Sequence, residues 1–219
     1  MSRRAGAAAG LALLALVACA CTSDADPVAT TTSSSTVSTS TTLPGDADLE
    51  GRLIAAADLP AGFAPDADVD DTITAFCAGQ DAAAGLQASA RSIVGFTRTP
   101  PGASVIQLAF RFDDDGAALF VEQAEALLTS CSDVPDATGL AFTYEAVTAP
   151  VAAALDGVEA SASRYGVSVG SGTLTLDVAV LQQGDLGTLV AVLGLDQPRD
   201  ALDELAVAAF TAAVERLQE

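Results

Sequence analysis

Hydrophobic and polar positions alternate in two stretches of the chain, and each stretch predicts a β-hairpin. Residues 92–98 and 104–112 flank a Pro-Pro-Gly turn, and residues 160–169 and 173–182 flank Gly170-Ser171-Gly172. Two more strands are predicted at 140–148 and 188–195. The last of these is almost continuously apolar, as a strand buried on both faces is, so we expect it near the centre of the sheet.

Apolar residues recur at steps of three and four in two longer segments, which predicts amphipathic helices there. One covers 117–131, and the other begins at Pro198 and runs to the C-terminus. A short opening helix is predicted over 49–57, ended by Pro60. Residues 79–90 are rich in alanine and are predicted to be partly helical.

These elements predict an α+β fold, a mainly antiparallel sheet with two main amphipathic helices packed on one side of it. The strands are mostly one-sided. Their second face carries polar residues, which we expect to point away from the core: Arg98, Gln107, Arg111, Thr173, Thr175 and Asp177.

The N-terminus has the features of a bacterial lipoprotein signal. Arg3 and Arg4 precede an apolar stretch too short to span a bilayer, and the stretch ends in Leu16-Val17-Ala18-Cys19. We interpret residues 1–18 as a signal peptide and Cys19 as the lipidated residue that anchors the chain to the membrane. Cys21 is a weaker alternative acceptor, and an ordinary secretory signal would also export the protein.

Residues 19–45 are predicted to be a tether. Twelve of the 13 residues from Thr30 to Thr42 are Ser or Thr, and a tract of this composition cannot bury a core. The folded domain is therefore expected to occupy 46–219.

Composition excludes several classes of function. The chain has no His and no Lys, so imidazole bases, imidazole metal ligands and Schiff-base lysines are absent. Its net charge of −20 argues against a nucleic-acid partner. Gly166-Val167-Ser168-Val169-Gly170 matches a nucleophile elbow, but no His exists to activate Ser168, and a strand follows it instead of a helix. We expect no catalytic residues and no cofactor.

Two cysteines remain in the predicted domain, Cys77 and Cys131, and in an exported protein they are expected to form a disulfide. Closing this loop stabilises the fold by about 4 kcal/mol in the loop-entropy treatment. Metal binding by the pair is not expected, because no second thiol pair or histidine completes a tetrahedral set.

The order of these features resembles that of actinobacterial envelope lipoproteins and, more distantly, the extracellular sensor domain of PknH-type serine/threonine kinases. The likeness rests on the lipobox, the Ser/Thr tether, Phe76-Cys77, the strand 104–112 and the helix 116–130 that ends at Cys131. It implies an antiparallel sheet with two main helices around a ligand-binding cleft. The kinase domains usually carry two disulfides where this chain has one, and they supply no catalytic residues.

The sequence thus predicts a membrane-anchored extracytoplasmic lipoprotein that acts as a non-enzymatic ligand- or partner-binding module. The lipid anchor supplies the contact with the membrane, and the envelope ligand or protein partner is unknown. One alternative is a carrier of lipid or glycolipid, which requires a large apolar cavity between sheet and helices. Another is a structural partner for a second envelope protein.

Overall fold

Hairpins and helices follow one another along the chain largely as the hydrophobic pattern predicts. The computed structural model describes residues 47–69, 75–76, 80–83, 85–99, 102–130, 142–169 and 171–219. The elements in chain order are α1 (Ala47–Gly51), a 3-10 turn (Ala56–Asp58), β1 (Ala64–Pro65), β2 (Ala75–Phe76), β3 (Gln80–Asp81), β4 (Ala88–Arg98), β5 (Ala103–Phe112), α2 (Gly116–Ser130), β6 (Phe142–Glu145), α3 (Ala149–Ala153), β7 (Glu159–Val169), β8 (Gly172–Gln183), β9 (Leu186–Leu195) and α4 (Arg199–Gln218).

A seven-stranded antiparallel sheet runs through the domain in the order β1-β4-β5-β9-β8-β7-β6, and β2 and β3 pair separately. The central strand is β9, which confirms the position that its continuous apolar sequence predicts. The tight connection between β8 and β9 is made at Gly184, whose φ of 60° lies in the left-handed region that glycine tolerates. The predicted α+β class and antiparallel sheet are therefore both confirmed.

Helices cover both faces of this sheet. On the face covered by α4, alternate strand residues such as Val105, Val190 and Val192 pack with Leu205 and Phe210. On the opposite face, covered by α2, the intervening strand residues pack with the buried side of that helix. The expectation that the helices pack on one side was wrong, since β9 is apolar on both faces and needs both faces covered. We call the two faces the α4 face and the α2 face.

Two polar side chains expected to point to solvent lie instead in the interior of the α4 face. Gln107 is fully buried, where its Oε1 accepts a hydrogen bond from the Ile54 amide at 2.6 Å and its Nε2 donates to Thr188 Oγ1 at 3.2 Å. Asp177 is also fully buried. Both remain in the interior because each finds polar partners there, as buried polar groups require.

Three local predictions differ from the structure. Among the described residues of 79–90, the strand β3 and the start of β4 stand where helix was predicted, so the alanines there do not decide the local structure. The opening helix is interrupted, with α1 ending at Gly51 and a separate 3-10 turn following. The strand predicted over 140–148 is shorter, and the helix α3 follows it with Pro150 in its first turn.

The α2 face is organised by aromatic side chains. The rings of Phe110, Phe112 and Phe120 lie 5.4 Å apart in pairs. Gly187 of β9 lies against two of them, and a Cβ there would come within 2.9 Å of Phe112 and Phe120. At the other end of α2, the buried Tyr165 hydroxyl donates to the Leu128 carbonyl at 2.6 Å, and burial raises the pKa of Tyr165 to about 12.

Candidate functional site

A buried ion pair lies beneath the first turns of α4. Arg164 on β7 donates two hydrogen bonds, from Nε and Nη2, to the two carboxylate oxygens of Asp177 on β8. Its Nη2 also donates to Asp203 of α4 at 2.6 Å. The Arg164 and Asp177 side chains are 3% and 0% exposed, whereas Asp203 is 22% exposed. One guanidinium thus joins two strands and a helix.

The register of the β7–β8 hairpin places this pair. Val169 is opposite Gly172, and five residues further from the turn Arg164 is opposite Asp177. Opposite charges at directly facing positions of an antiparallel pair attract each other across the strands. Asp203 then reaches the pair from above, from the first turns of α4, where the helix dipole favours a carboxylate.

Burial acts on both partners of the pair. The hydrogen bond from Arg164 to Asp177 raises the pKa of the guanidinium, which therefore stays charged throughout the accessible pH range. Removal from water raises the pKa of the Asp177 carboxyl above its ordinary value, while the hydrogen bonds from Arg164 act in the opposite direction. The pair is stable only as a unit, because either charge alone would be uncompensated in the interior.

An exposed ion pair extends the cluster to the edge of the sheet. Glu145 on β6 is opposite Arg164 in the strand register, and its carboxylate accepts a hydrogen bond from Arg199, the first residue of α4, at 2.7 Å. We call the five residues together the ion-pair cluster: Glu145, Arg164, Asp177, Arg199 and Asp203. Two guanidinium groups face three carboxylates, which gives a net charge of −1.

An open cleft of about 340 Å³, lined by both polar and apolar atoms, lies on the same face of β7. Ala160 and Ala162 form its floor, and their small side chains leave the space open. Leu155 and Val158 belong to its walls. The other lining residues come from α3 and from the segments before and after it: Val147, Ala152, Asp156 and Gly157. This volume lies at the lower end of the range of about 300–1,000 Å³ that holds small-molecule ligands.

The cleft and the ion-pair cluster are neighbours on the sheet. Side chains two positions apart on a strand share a face, so Ala162 lies one step from Arg164 along β7. Val147 lies two positions after Glu145, which is opposite Arg164. Ala162 of the cleft and the buried Arg164 therefore lie on one face of β7, while Arg164 itself is not among the residues that line the cleft. An apolar volume beside a fixed polar group is the usual composition of a small-ligand site.

The structure describes only some of the residues singled out from the sequence. Cys19, Cys77 and Cys131 lie outside the described residues, so the lipidation and the disulfide stay predictions. Ser168 is an exposed residue within β7, opposite Thr173, as its interpretation as an ordinary strand residue predicts. Among the described parts of the chain, no three His, Cys, Asp or Glu side chains converge in a way that could hold a metal ion. Within those parts, no helix is both long and apolar enough to cross a membrane.

Sequence reasoning missed the ion-pair cluster, although a signal for it existed. The sequence predicts a tight turn at Gly170-Ser171-Gly172, and such a turn pairs residues at equal distances from it; the observed register places Arg164 opposite Asp177. A pair of opposite charges at directly facing positions of two strands indicates a cross-strand contact. Asp203 carried no such signal, because its position over the sheet depends on the packing of α4.

The fold has a counterpart among solved structures. The extracellular domain of PknH from Mycobacterium tuberculosis superposes with a TM-score of 0.53 at 14% sequence identity, covering 78% of this chain and 94% of that one. A Mog1 mutant matches with a TM-score of 0.34 at 13% identity, covering 73% and 84% of the two chains, a score too low to indicate a shared fold. No family model and no curated protein matches the sequence. The domain is thus an α+β domain with the fold of the PknH extracellular domain, which confirms the resemblance to the PknH-type sensor domain; the resemblance to envelope lipoproteins stays a prediction.

Proposed function

We propose that this protein is a membrane-anchored extracytoplasmic lipoprotein whose domain binds a ligand in the cleft over β7 and carries out no chemistry on it. The observation that carries the proposal is the cleft itself, with an apolar floor of alanines and a buried guanidinium one step away on the same strand. A cleft of this size is large enough to hold a small ligand.

The extracytoplasmic location is supported by two independent features. The N-terminal residues have the pattern of a lipoprotein signal that ends before Cys19, and a Ser/Thr-rich tract follows them. The domain shares its fold with a domain that is extracellular in PknH. A tether between a lipid anchor and a binding domain lets the domain reach ligands or partners away from the bilayer.

A role without catalysis is supported by the structural contacts of the side chains whose pKa values are clearly shifted. The described residues with clearly shifted pKa values are Arg164, Tyr165 and Asp177, and all three form buried contacts that hold elements together. Strongly perturbed groups in an active site would instead face the space where a substrate reacts. The absence of His and Lys from the sequence points the same way.

Native mass spectrometry of the chain purified from the envelope of an exporting host tests the binding function. We expect a small-molecule adduct that is lost in Ala162→Leu, which fills the floor of the cleft. The adduct should persist in Ala153→Leu, which makes the same change at an exposed position of α3 outside the lining. An adduct with the mass of a two-chain lipid would favour the carrier alternative, and an adduct retained by Ala162→Leu would exclude the cleft as its site.

Membrane anchoring is tested by the same preparation. Wild-type chain should fractionate with membranes and incorporate labelled palmitate, and Cys19→Ser should do neither. Retention of the label in Cys19→Ser together with its loss in Cys21→Ser would move the anchor to the second cysteine.

A further inference from the structure

In the part of the chain that the structure describes, the first half of β7 is paired on one side only. The strand has 11 residues, but β6 pairs with 164–167 alone, so residues 159–163 have β8 as their one neighbour. No backbone hydrogen bond reaches these five from any other described segment. In antiparallel strands alternate residues direct their N–H and C=O groups to opposite sides, so every second residue here directs them away from β8. We call residues 159–163 the free edge of β7.

The free edge lacks most features by which proteins protect exposed strand edges. Such edges commonly carry proline, lysine or a bulge, or are covered by another segment. After Glu159 the free edge contains only alanine and serine, and its pairing with β8 continues without a register shift. Residues 159–162 are exposed or half-buried. An edge of this kind offers unpaired backbone groups to an extended segment of another molecule.

The cleft lies beside the free edge, because Ala160 and Ala162 belong to both. Side chains of a strand added next to β7 would alternate between the two faces of the sheet. Those directly opposite the two alanines would lie on the cleft side, with Cβ atoms about 5 Å from the alanine Cβ atoms. Addition of a peptide strand needs backbone groups for affinity and space for alternate side chains for specificity. The free edge supplies the first and the cleft supplies the second.

The charge around the free edge selects among peptides. Asp156 is the one charged residue among those that line the cleft, Glu159 begins the free edge, and both are exposed. The whole chain has a net charge of −20. Complementary charge across an interface speeds association and discriminates against wrong partners. A basic residue beside Glu159 is therefore favoured, and an acidic one is repelled.

On these grounds we propose that the cleft binds a short extended peptide as an added strand, antiparallel to β7 and in line with β6. Two apolar side chains of the peptide lie opposite Ala160 and Ala162, and a basic residue lies opposite Glu159. The inference rests on the proposed binding function and adds to it the chemical class of the ligand.

The test uses the capped peptide acetyl-Thr-Val-Thr-Val-Arg-amide, whose residues run from the position opposite Ser163 to the position opposite Glu159. It is titrated into the ¹⁵N-labelled chain at pH 7, and hydrogen exchange of the amides of 159–163 is measured. Without peptide, alternate amides of the free edge should exchange rapidly, since only the others pair with β8. In the complex we expect these rapidly exchanging amides to become protected.

Two N-methylated peptides separate strand addition from binding by side chains alone. Neighbouring amides of a strand point to opposite sides, so methylation at the second or at the third residue removes a donor toward β7 in only one of the two peptides. We expect that peptide to bind at least about tenfold more weakly than the parent, the effect of one lost hydrogen bond, and the other to bind like the parent.

A matched pair of variants tests the charge preference. Glu159→Gln should weaken binding of the arginine peptide severalfold at low salt, because one exposed carboxylate beside the basic residue is removed. Glu204→Gln makes the same chemical change at an exposed position of α4 and should leave the affinity unchanged.

The outcomes distinguish the inference from the proposed function. If the two N-methylated peptides bind equally, or if the free-edge amides stay unprotected in the complex, no strand is added and the inference is wrong. Equal affinities for Glu159→Gln and Glu204→Gln would overturn the preference for a basic residue. Protection that rises with protein concentration in the absence of peptide would make a second copy of the chain the occupant, which also overturns the inference.

The native adduct supplies the remaining distinction. If the peptide does not bind although Ala162→Leu loses the adduct, the cleft binds another class of molecule, and the inference fails while the binding function stands. If the adduct survives in Ala162→Leu, the proposed binding function itself fails.

Discussion

Replacing Arg164 by methionine should destabilise the domain more than any exposed charge change does. Methionine keeps much of the length of the side chain and removes the guanidinium. Asp177, which is 0% exposed, then loses both charge-assisted hydrogen bonds and remains in the interior as an isolated carboxylate. Breaking a buried pair in this way costs about 3–5 kcal/mol. That is a large fraction of the 5–15 kcal/mol by which small domains are typically stable.

The expected loss can be read from urea unfolding followed by circular dichroism. With a denaturant dependence of roughly 2 kcal/mol per molar urea, the midpoint should fall by about 2 M. The matched control is Arg199→Met, which removes the same group from the exposed pair with Glu145, in which the two side chains are 60% and 45% exposed. Exposed pairs contribute about 0–1 kcal/mol, so its midpoint should hardly move.

The double variant Arg164→Met/Asp177→Leu tests the reasoning itself. If the cost of the single change is the uncompensated charge, removing the second charge should recover most of it, since apolar residues of similar volume often replace a buried pair at little cost. Asp203 then loses a partner but is partly exposed and can be hydrated. Two results would show that the pair is not desolvated as described. One is an equal urea midpoint for Arg164→Met and Arg199→Met, and the other is a double variant that is no more stable than Arg164→Met.

Three other predictions concern the remaining structure. Gly187→Ala should destabilise the domain by about 1–3 kcal/mol, because the added Cβ would meet two phenylalanine rings at 2.9 Å. The control Gly51→Ala should be neutral or slightly stabilising, because no atom lies within 4 Å of its Cβ. Equal urea midpoints for the two variants would contradict this prediction. The pKa of Tyr165, followed by ultraviolet absorption, should lie near 12 in the folded protein, above the ordinary value of 10. The unfolded chain then loses this proton at lower pH than the folded chain does, so the free energy of unfolding should fall as the pH rises from 10 to 12. The fall should be smaller in Tyr165→Phe. Thiol titration of the exported, unfolded chain should find Cys77 and Cys131 oxidised, and two free thiols would exclude the bridge.

The elements of this fold are largely fixed by local sequence. Alternation of apolar residues specifies β4, β5, β7 and β8, because a strand repeats every two residues, and a step of three to four residues specifies α2 and α4 in the same way. The long apolar run of β9 also determines its central place. These predictions hold because they depend on which side of an element is apolar, and a residue's neighbours in the chain decide that.

What covers the second face of the sheet is decided only by tertiary structure. A polar residue such as Gln107 or Asp177 has the same place in an alternating pattern whether its face meets water or a helix. Alanines on the buried side of α4, among them Ala206, Ala209 and Ala213, allow the helix to pack on that face. Because α4 covers this face, Asp177, which was expected at the surface, forms a buried ion pair with Arg164. The cleft has the same origin, since its floor and walls come from β7 and from the segments around α3, and no local pattern relates them.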